Sequence, residues 1–246
     1  SQISQVIVGC LDPNPKHCGK GIEILRSAGI KVKTGILEKE CADLNEAFFK
    51  WITKKMPLVI LKMAMTLDGK IATVNGESRW ITGHSARRRV DKLRLWADAV
   101  IIGAETARKD KPSLEVRTGK FKKQPRRIII SNTLTQHEAN KLLPAGKEPE
   151  IKRAENKQEW ITLMKQLVQE NVTSVLIEGG GELAYSAISA GIVDKIEFHI
   201  APKILGGRNS KPVIGGNNPI SLSEAFKLKN IKTSKSGEDL IISGNI

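Results

Sequence analysis

The 246-residue chain is long enough for one full domain plus a smaller unit, and its 40% hydrophobic content is that of a protein that buries a core. A formal net charge of +14 favours anionic partners (nucleic acid, an anionic membrane surface or phosphorylated small molecules), whereas 4% aromatic content with one tyrosine argues against a protein that stacks bases on rings. No apolar run approaches the roughly 18 residues that span a bilayer, the N-terminus lacks a signal-peptide pattern, and Cys10, Cys18 and Cys41 make no C-x-x-C pair, so they read as reduced cytoplasmic thiols without a metal.

Gln5 to Cys10 reads as a short buried strand, and Asp12-Pro13-Asn14-Pro15 as a turn. Lys20 to Ala28 has helical spacing and stops at Gly29; Ile30 to Thr34 alternates like a strand; Leu37 to Trp51 reads as one helix. The character then changes. Pro57 opens an apolar strand, Leu58 to Met63, and further strands are expected at Ala99–Gly103, Arg127–Ser131, Ser174–Ile177, Ile196–Ile200 and Leu240–Ser243. Helical patterns fall between them at Ser85–Trp96, Gln158–Glu170 and Leu183–Ala190. Near-continuous apolar strands alternating with amphipathic helices predict an α/β layer fold with a mostly parallel sheet. A strand would suit the gap after Ser131, but Gly146 to Lys157 is polar and reads as a loop. Two basic runs, Arg87 to Arg89 and Arg117 to Arg127 (with Lys120, Lys122, Lys123 and Arg126), read first as solvated faces, with a nucleic-acid-binding module as a remote alternative.

Three constellations carry chemistry. Glu178-Gly179-Gly180-Gly181-Glu182 follows a strand and opens a helix, where free backbone N–H groups favour a phosphate. Gly179, Gly181 and Ala184 meet the G-x-G-x-x-G/A spacing, but no acid follows about 20 residues on at the end of the next strand, which disfavours a Rossmann dehydrogenase. Lys62 interrupts an apolar strand, and a buried lysine needs an anionic partner or a shifted pKa; that strand runs into Thr66-Leu67-Asp68-Gly69 and the corner around Trp80. Gly103 to Thr106 and Asp110 to Arg117 form a small-residue loop at another strand end. In open α/β sheets, ligand sites gather at such carboxyl ends.

The ordered set KMAMTLDGKIA, NGESRWIT, the Arg94 helix, GAETARKDKPSLEVR, LIEGGGELA and IAPKILGG resembles the reductase domain of the bifunctional RibD/RibG deaminase–reductases of riboflavin biosynthesis over nearly all of Pro57 to Ile246. The resemblance implies a three-layer, dihydrofolate reductase-like domain at residues 56–246. VGCLDPNPKHCGKGIEILRSAGIKV resembles the C-terminal part of the family's cytidine-deaminase-like domain and assigns residues 1–55 to it, while the family's zinc motifs are absent from this sequence. NADPH is the implied cofactor, with zinc belonging only to the deaminase part. By position, the family's cofactor-binding residues map to Ala64, Trp80, Thr106, Asp110, Ser131 and the block Gly180, Gly181, Glu182, Leu183, Ala184, Tyr185, Ser186. Its substrate-binding residues map to Ser78, Arg94, Leu114, Arg117 and Glu178. The implied substrate is a phosphorylated ribosylamino-pyrimidine, 5-amino-6-(5-phosphoribosylamino)uracil. Arg94 and Arg117 are the expected phosphate ligands, because guanidinium forks bind phosphate bidentately. Proton transfer is left open among Lys62, Glu178 and an ordered water. Lys109-Asp110-Lys111-Pro112 departs from the acidic pair that family members often carry before the proline. The resemblance also implies a cytoplasmic homo-oligomer that binds neither nucleic acid nor membrane. A reductase-only enzyme, or a dihydrofolate reductase-like oxidoreductase of another pathway, stays open as the alternative.

Overall fold

The computed structural model describes residues 3–117, 123–143, 146 and 148–246. The chain divides into two compact units, Ser1–Leu58 and Val59–Ile246.

In the first unit, β1 (Gln5–Val8) pairs in parallel with β2 (Lys31–Thr34) across α1 (Lys20–Ser27). The single helix expected from Leu37 to Trp51 is two, α2 (Glu38–Leu44) and α3 (Glu46–Lys54). They break at Asn45, whose side-chain amide donates to the Cys41 carbonyl and competes with the helical ladder. None of residues 3–56 is fully buried, and Ile7, Ile24, Leu37 and Leu44 are exposed.

The second unit is built on an eight-stranded sheet in the order β11-β12-β9-β3-β8-β5-β6-β7. Its strands are β3 (Leu58–Thr66), β5 (Ala99–Gly103), β6 (Arg126–Ile130), β7 (Glu150–Lys152), β8 (Ser174–Glu178), β9 (Lys195–Ala201), β11 (Lys229–Ser236) and β12 (Asp239–Asn245). Pairings β3–β9, β5–β6, β5–β8 and β6–β7 are parallel; β9–β12 and β11–β12 are antiparallel. A separate two-stranded ladder joins β4 (Lys70–Ala72) to β10 (Lys211–Pro212).

Alternation along the central strands sends side chains to both faces. Val100, Ile102, Ile129 and Leu176 form one cluster with Ala107, Ala139 and Leu143; Ile60, Leu93 and Trp96 pack against it. This face meets α4 (His84–Trp96), α5 (Ala104–Asp110) and α6 (Gln136–Leu142). The intervening residues Ala99, Ile101, Ile128, Val175 and Ile177 are equally buried, so the sheet is covered on both sides. α7 (Lys157–Gln169) and α8 (Gly181–Ser189) supply further buried residues, and the indole N–H of Trp160 donates to Ser186 Oγ at 2.9 Å.

The polar stretch read as a loop contains β7. Glu150 and Lys152 are tolerated there because β7 is a three-residue edge strand; Glu150 accepts twice from Arg126, each at 2.7 Å. β11 escaped notice for the same reason, being a polar, exposed edge. The loop expected after Gly103 is α5. The solvated-face reading of the second basic run fails at Arg127, which is 4% exposed and donates to the carbonyls of Ser113 and Leu143. Lys120 and Lys122 lie outside the described residues.

Candidate functional site

A cleft of about 640 Å³ opens where β3, β5 and β8 end. Its floor is made by Lys62 and Ala64 of β3, Glu178 of β8 and Arg94 of α4. Lys62 and Ala64 share a strand face, as do Leu176 and Glu178. Both pairs therefore point to the side covered by α4. Arg94 grips Glu178 with Nε and Nη2 at 2.7 and 2.9 Å, and both side chains are 11% exposed. Burial alone would push the Glu178 carboxyl up, but Arg94, with Lys62 beside it, outweighs burial and holds it below the usual carboxylate range. Burial lowers the Lys62 ammonium from its ordinary value; Glu178 opposes that effect and Arg94 adds to it. Among the described residues, no hydrogen bond holds Lys62 Nζ. The site thus combines a fixed carboxylate with a buried lysine that gives up its proton more readily than usual.

One wall is the turn Gly179–Gly180 at the start of α8. Both residues have positive φ, 66° and 80°, as a tight strand-to-helix reversal requires. The N-cap Gly180 makes no side-chain cap, so the first N–H groups of α8 lack an intrahelical partner. Thr106 of α5 packs on this turn; a Cβ on Gly179 would sit 3.0 Å from its Cγ2. A Cβ on Gly181 would sit 2.7 Å from the Pro212 carbonyl oxygen and 3.0 Å from the Gly215 nitrogen. The glycine is therefore needed for docking the 212–215 loop, and it lines the cleft as well.

Ser78, Trp80 and Asp110 also line the cleft. Ser78 Oγ donates to Asp110 Oδ1 at 2.9 Å, joining a residue of the expected substrate set to one of the expected cofactor set. Trp80 is 58% exposed, and the Arg87 guanidinium lies 4.4 Å from its ring centre. The corner is fastened from below: Lys203 Nζ donates to the Trp80 and Ile81 carbonyls, while Asp68 accepts from Thr66 Oγ1 and the Leu205 and Gly206 amides. Those hydrogen bonds hold the Asp68 carboxyl at about 2.

Most of the expected site residues meet in this cleft. Glu182, Leu183, Ser186, Thr106 and Leu114 line it with those above; Leu114 is also part of the core. Ser131, Ala184 and Tyr185 do not line it. Ser131 Oγ instead caps its own turn, accepting from Thr133 and Leu134 amides. Ala184 and Tyr185 fall on helix faces turned away, because a contiguous block on α8 rotates about 100° per residue and cannot face one ligand throughout. Arg94, expected at a phosphate, spends its fork on Glu178; Arg117 is exposed at the rim, with Nη2 3.3 Å from Ser113 Oγ. Sequence reading missed Lys211, Pro212 and Gly215, which reach the cleft through the β4–β10 ladder, and Arg79; Lys109, singled out as a departure from the family pattern, does line it.

Cationic side chains outnumber acidic ones around the cleft, which suits a ligand with several phosphates. The capless α8 turn, with Arg79, Lys109 and Lys211 nearby, fits a dinucleotide phosphate cofactor. Among the described residues, no cluster of His, Cys, Asp and Glu is arranged to hold a metal, and no helix is long and apolar enough to cross a membrane.

The family model for the RibD C-terminal domain matches residues 57–242. A riboflavin biosynthesis protein RibD of Actinobacillus pleuropneumoniae is 38% identical over 265 residues, covering 98% of this chain and 70% of that protein. The structure of Acinetobacter baumannii RibD (form 2) matches with a TM-score of 0.84 at 30% identity, over 100% of this chain and 73% of the other. A Thermotoga maritima diaminohydroxyphosphoribosylaminopyrimidine deaminase/5-amino-6-(5-phosphoribosylamino)uracil reductase matches with a TM-score of 0.85 at 29% identity, over 99% and 71% of the two chains. The mostly parallel eight-stranded sheet is that of these reductases, the expected dihydrofolate reductase-like α/β fold. The chain belongs to the RibD family, and residues 57–242 are its C-terminal reductase domain of riboflavin biosynthesis.

Proposed function

We propose that residues 56–246 reduce the ribosyl side chain of 5-amino-6-(5-phosphoribosylamino)uracil to the ribityl form with NADPH. The observation that carries this reading is the juxtaposition, on one cleft floor, of Lys62 with the Arg94–Glu178 pair, between a capless glycine turn and a rim arginine. When bound, the cofactor would supply a hydride to the carbon of the substrate's open-chain imine, whose nitrogen takes the proton. The α8 amides and the neighbouring cations would hold its phosphates. Arg117 would take the substrate phosphate, since its guanidinium is at the rim and Arg94 is committed. Glu178, kept ionised by Arg94, accepts hydrogen bonds from substrate hydroxyl or amine groups and does not donate the proton. Lys62, with its lowered proton affinity and no hydrogen-bond partner among the described residues, is the better donor to the developing nitrogen. Ser78 is the remaining polar group on the substrate side.

Residues 1–55 are, on this reading, the C-terminal part of a cytidine-deaminase-like domain, to which any zinc would belong. A cytoplasmic homo-oligomer is part of the same proposal. The test is NADPH oxidation followed by absorbance, with the deaminated pyrimidine beside its still-aminated precursor. Turnover of the deaminated compound supports the reading. Preference for the aminated compound points to a reductase acting before deamination, and turnover of neither removes the assignment.

A further inference from the structure

Behind the cleft floor lies a second buried charge cluster, none of whose residues lines the cleft. In the parallel β3–β9 ladder Lys62 is the partner of Glu197, and Ala64 of His199. Partners in such a ladder stand side by side on the same face. Glu197 is 6% exposed and His199 fully buried, yet neither lines the cleft. Arg89 of α4 clamps Glu197 with Nε and Nη2 at 2.7 and 2.8 Å, and His199 Nε2 meets Glu197 Oε1 at 2.7 Å. A carboxylate only accepts, so Nε2 carries the hydrogen. His199 Nδ1 is buried without a partner among the described residues, which is tolerable for a lone pair but costly for an N–H. The imidazole therefore stays neutral. Burial lowers its proton affinity against the pull of Glu197, and the nearby Lys62 charge lowers it further. His199 thus fixes Glu197 by a hydrogen bond without adding a positive charge beside Lys62.

We propose that Glu197, held by Arg89 and the neutral His199, is a positioning residue for Lys62: a second carboxylate, next to it across the ladder, that keeps the Lys62 ammonium charged and in place at the cleft floor. The need for it follows from the first pair. Glu178 opposes the burial of Lys62 most strongly, but Arg94, which grips both its oxygens, works against it, and Glu197 adds a second, smaller pull in the same direction as Glu178. The charged groups packed around Lys62 are Glu178 of β8, Glu197 with His199 of β9, and Arg94 and Arg89 of α4, with Asp91 of the same helix beside Arg94. Glu197, like Asp91, does not line the cleft, whereas Glu178 does. Two polar residues on a central strand are otherwise an expensive way to fill a sheet face that apolar side chains would fill at less cost.

This inference rests on the reading of Lys62 as the proton donor, and the test separates the two. The Lys62 resonance of the full chain, labelled at lysine Cε and assigned with Lys62→Met, is titrated in the wild type, Glu197→Gln and Arg89→Gln, beside the pH profile of kcat/KM. Removing the carboxylate lowers the Lys62 midpoint by about one unit; kcat/KM one unit above the wild-type alkaline limb then falls about tenfold. Arg89→Gln, at the half-exposed end of the cluster, leaves the Glu197 charge less offset and moves the midpoint the other way; it also serves if Glu197→Gln does not fold. Damage to the scaffold alone would not produce shifts of opposite sign. An unchanged Lys62 midpoint in the folded variants overturns the proposal. Midpoints that move as described while the kcat/KM limb stays put support the coupling and remove Lys62 from the proton-donor role.

Discussion

Arg94→Met separates the buried pair at the cleft floor with little change of side-chain volume. In the wild type both partners are 11% exposed and joined by two hydrogen bonds, so removal of the guanidinium leaves the Glu178 carboxylate buried, with Lys62 as its nearest remaining cation. Breaking one side of such a pair costs roughly 3–5 kcal/mol, and in a domain of this size about 1 kcal/mol corresponds to 2–4 °C, so the melting temperature falls by roughly 6–20 °C at neutral pH. The sign with pH follows from Glu178. Its folded pKa lies below the ordinary carboxylate value, so its stabilising contribution is fully present above that value and is lost as pH falls through the folded pKa. The variant lacks this contribution, and its deficit therefore shrinks in acid. Urea unfolding of both proteins at neutral and acidic pH measures the difference. A deficit below about 1 kcal/mol at neutral pH, the range of a surface pair, or one that does not shrink in acid, would refute the assignment of a buried, ionised pair.

Three other outcomes are expected. Lys62→Met lowers kcat roughly 10²–10⁴-fold with NADPH affinity nearly unchanged; wild-type turnover in the variant removes the proton-donor role. Arg117→Ala, losing a charge-assisted hydrogen bond of about 1.5–3 kcal/mol, raises KM for the phosphorylated substrate roughly 10–100-fold and leaves NADPH affinity intact; equal losses for both ligands contradict that division. Gly181→Val forces its side chain against the Pro212 carbonyl and costs about 1–3 kcal/mol before any ligand is added, so thermal melting of the apo protein drops; an unchanged melt shows that the 212–215 loop does not depend on that glycine.

Local sequence was sufficient wherever one short segment carries the whole cause. The apolar runs of β3, β5, β6 and β8 declared a buried parallel sheet, because a strand covered on both faces admits only such side chains. Lys62 was legible as a candidate because a charge in an apolar strand demands a partner, Glu178 because it stands at the carboxyl end of one, and the glycine turn because positive φ favours glycine. Tertiary structure alone decided which partners meet. That Arg94 serves Glu178, that Lys211 reaches the cleft through a ladder with β4, and that Glu197 stands beside Lys62 depend on segments some 84 to 142 positions apart. No local pattern encodes a register between such distant strands. The polar edges β7 and β11 were silent for the complementary reason: a strand that buries little needs no apolar signature, and its neighbours supply the hydrogen bonds that make it a strand.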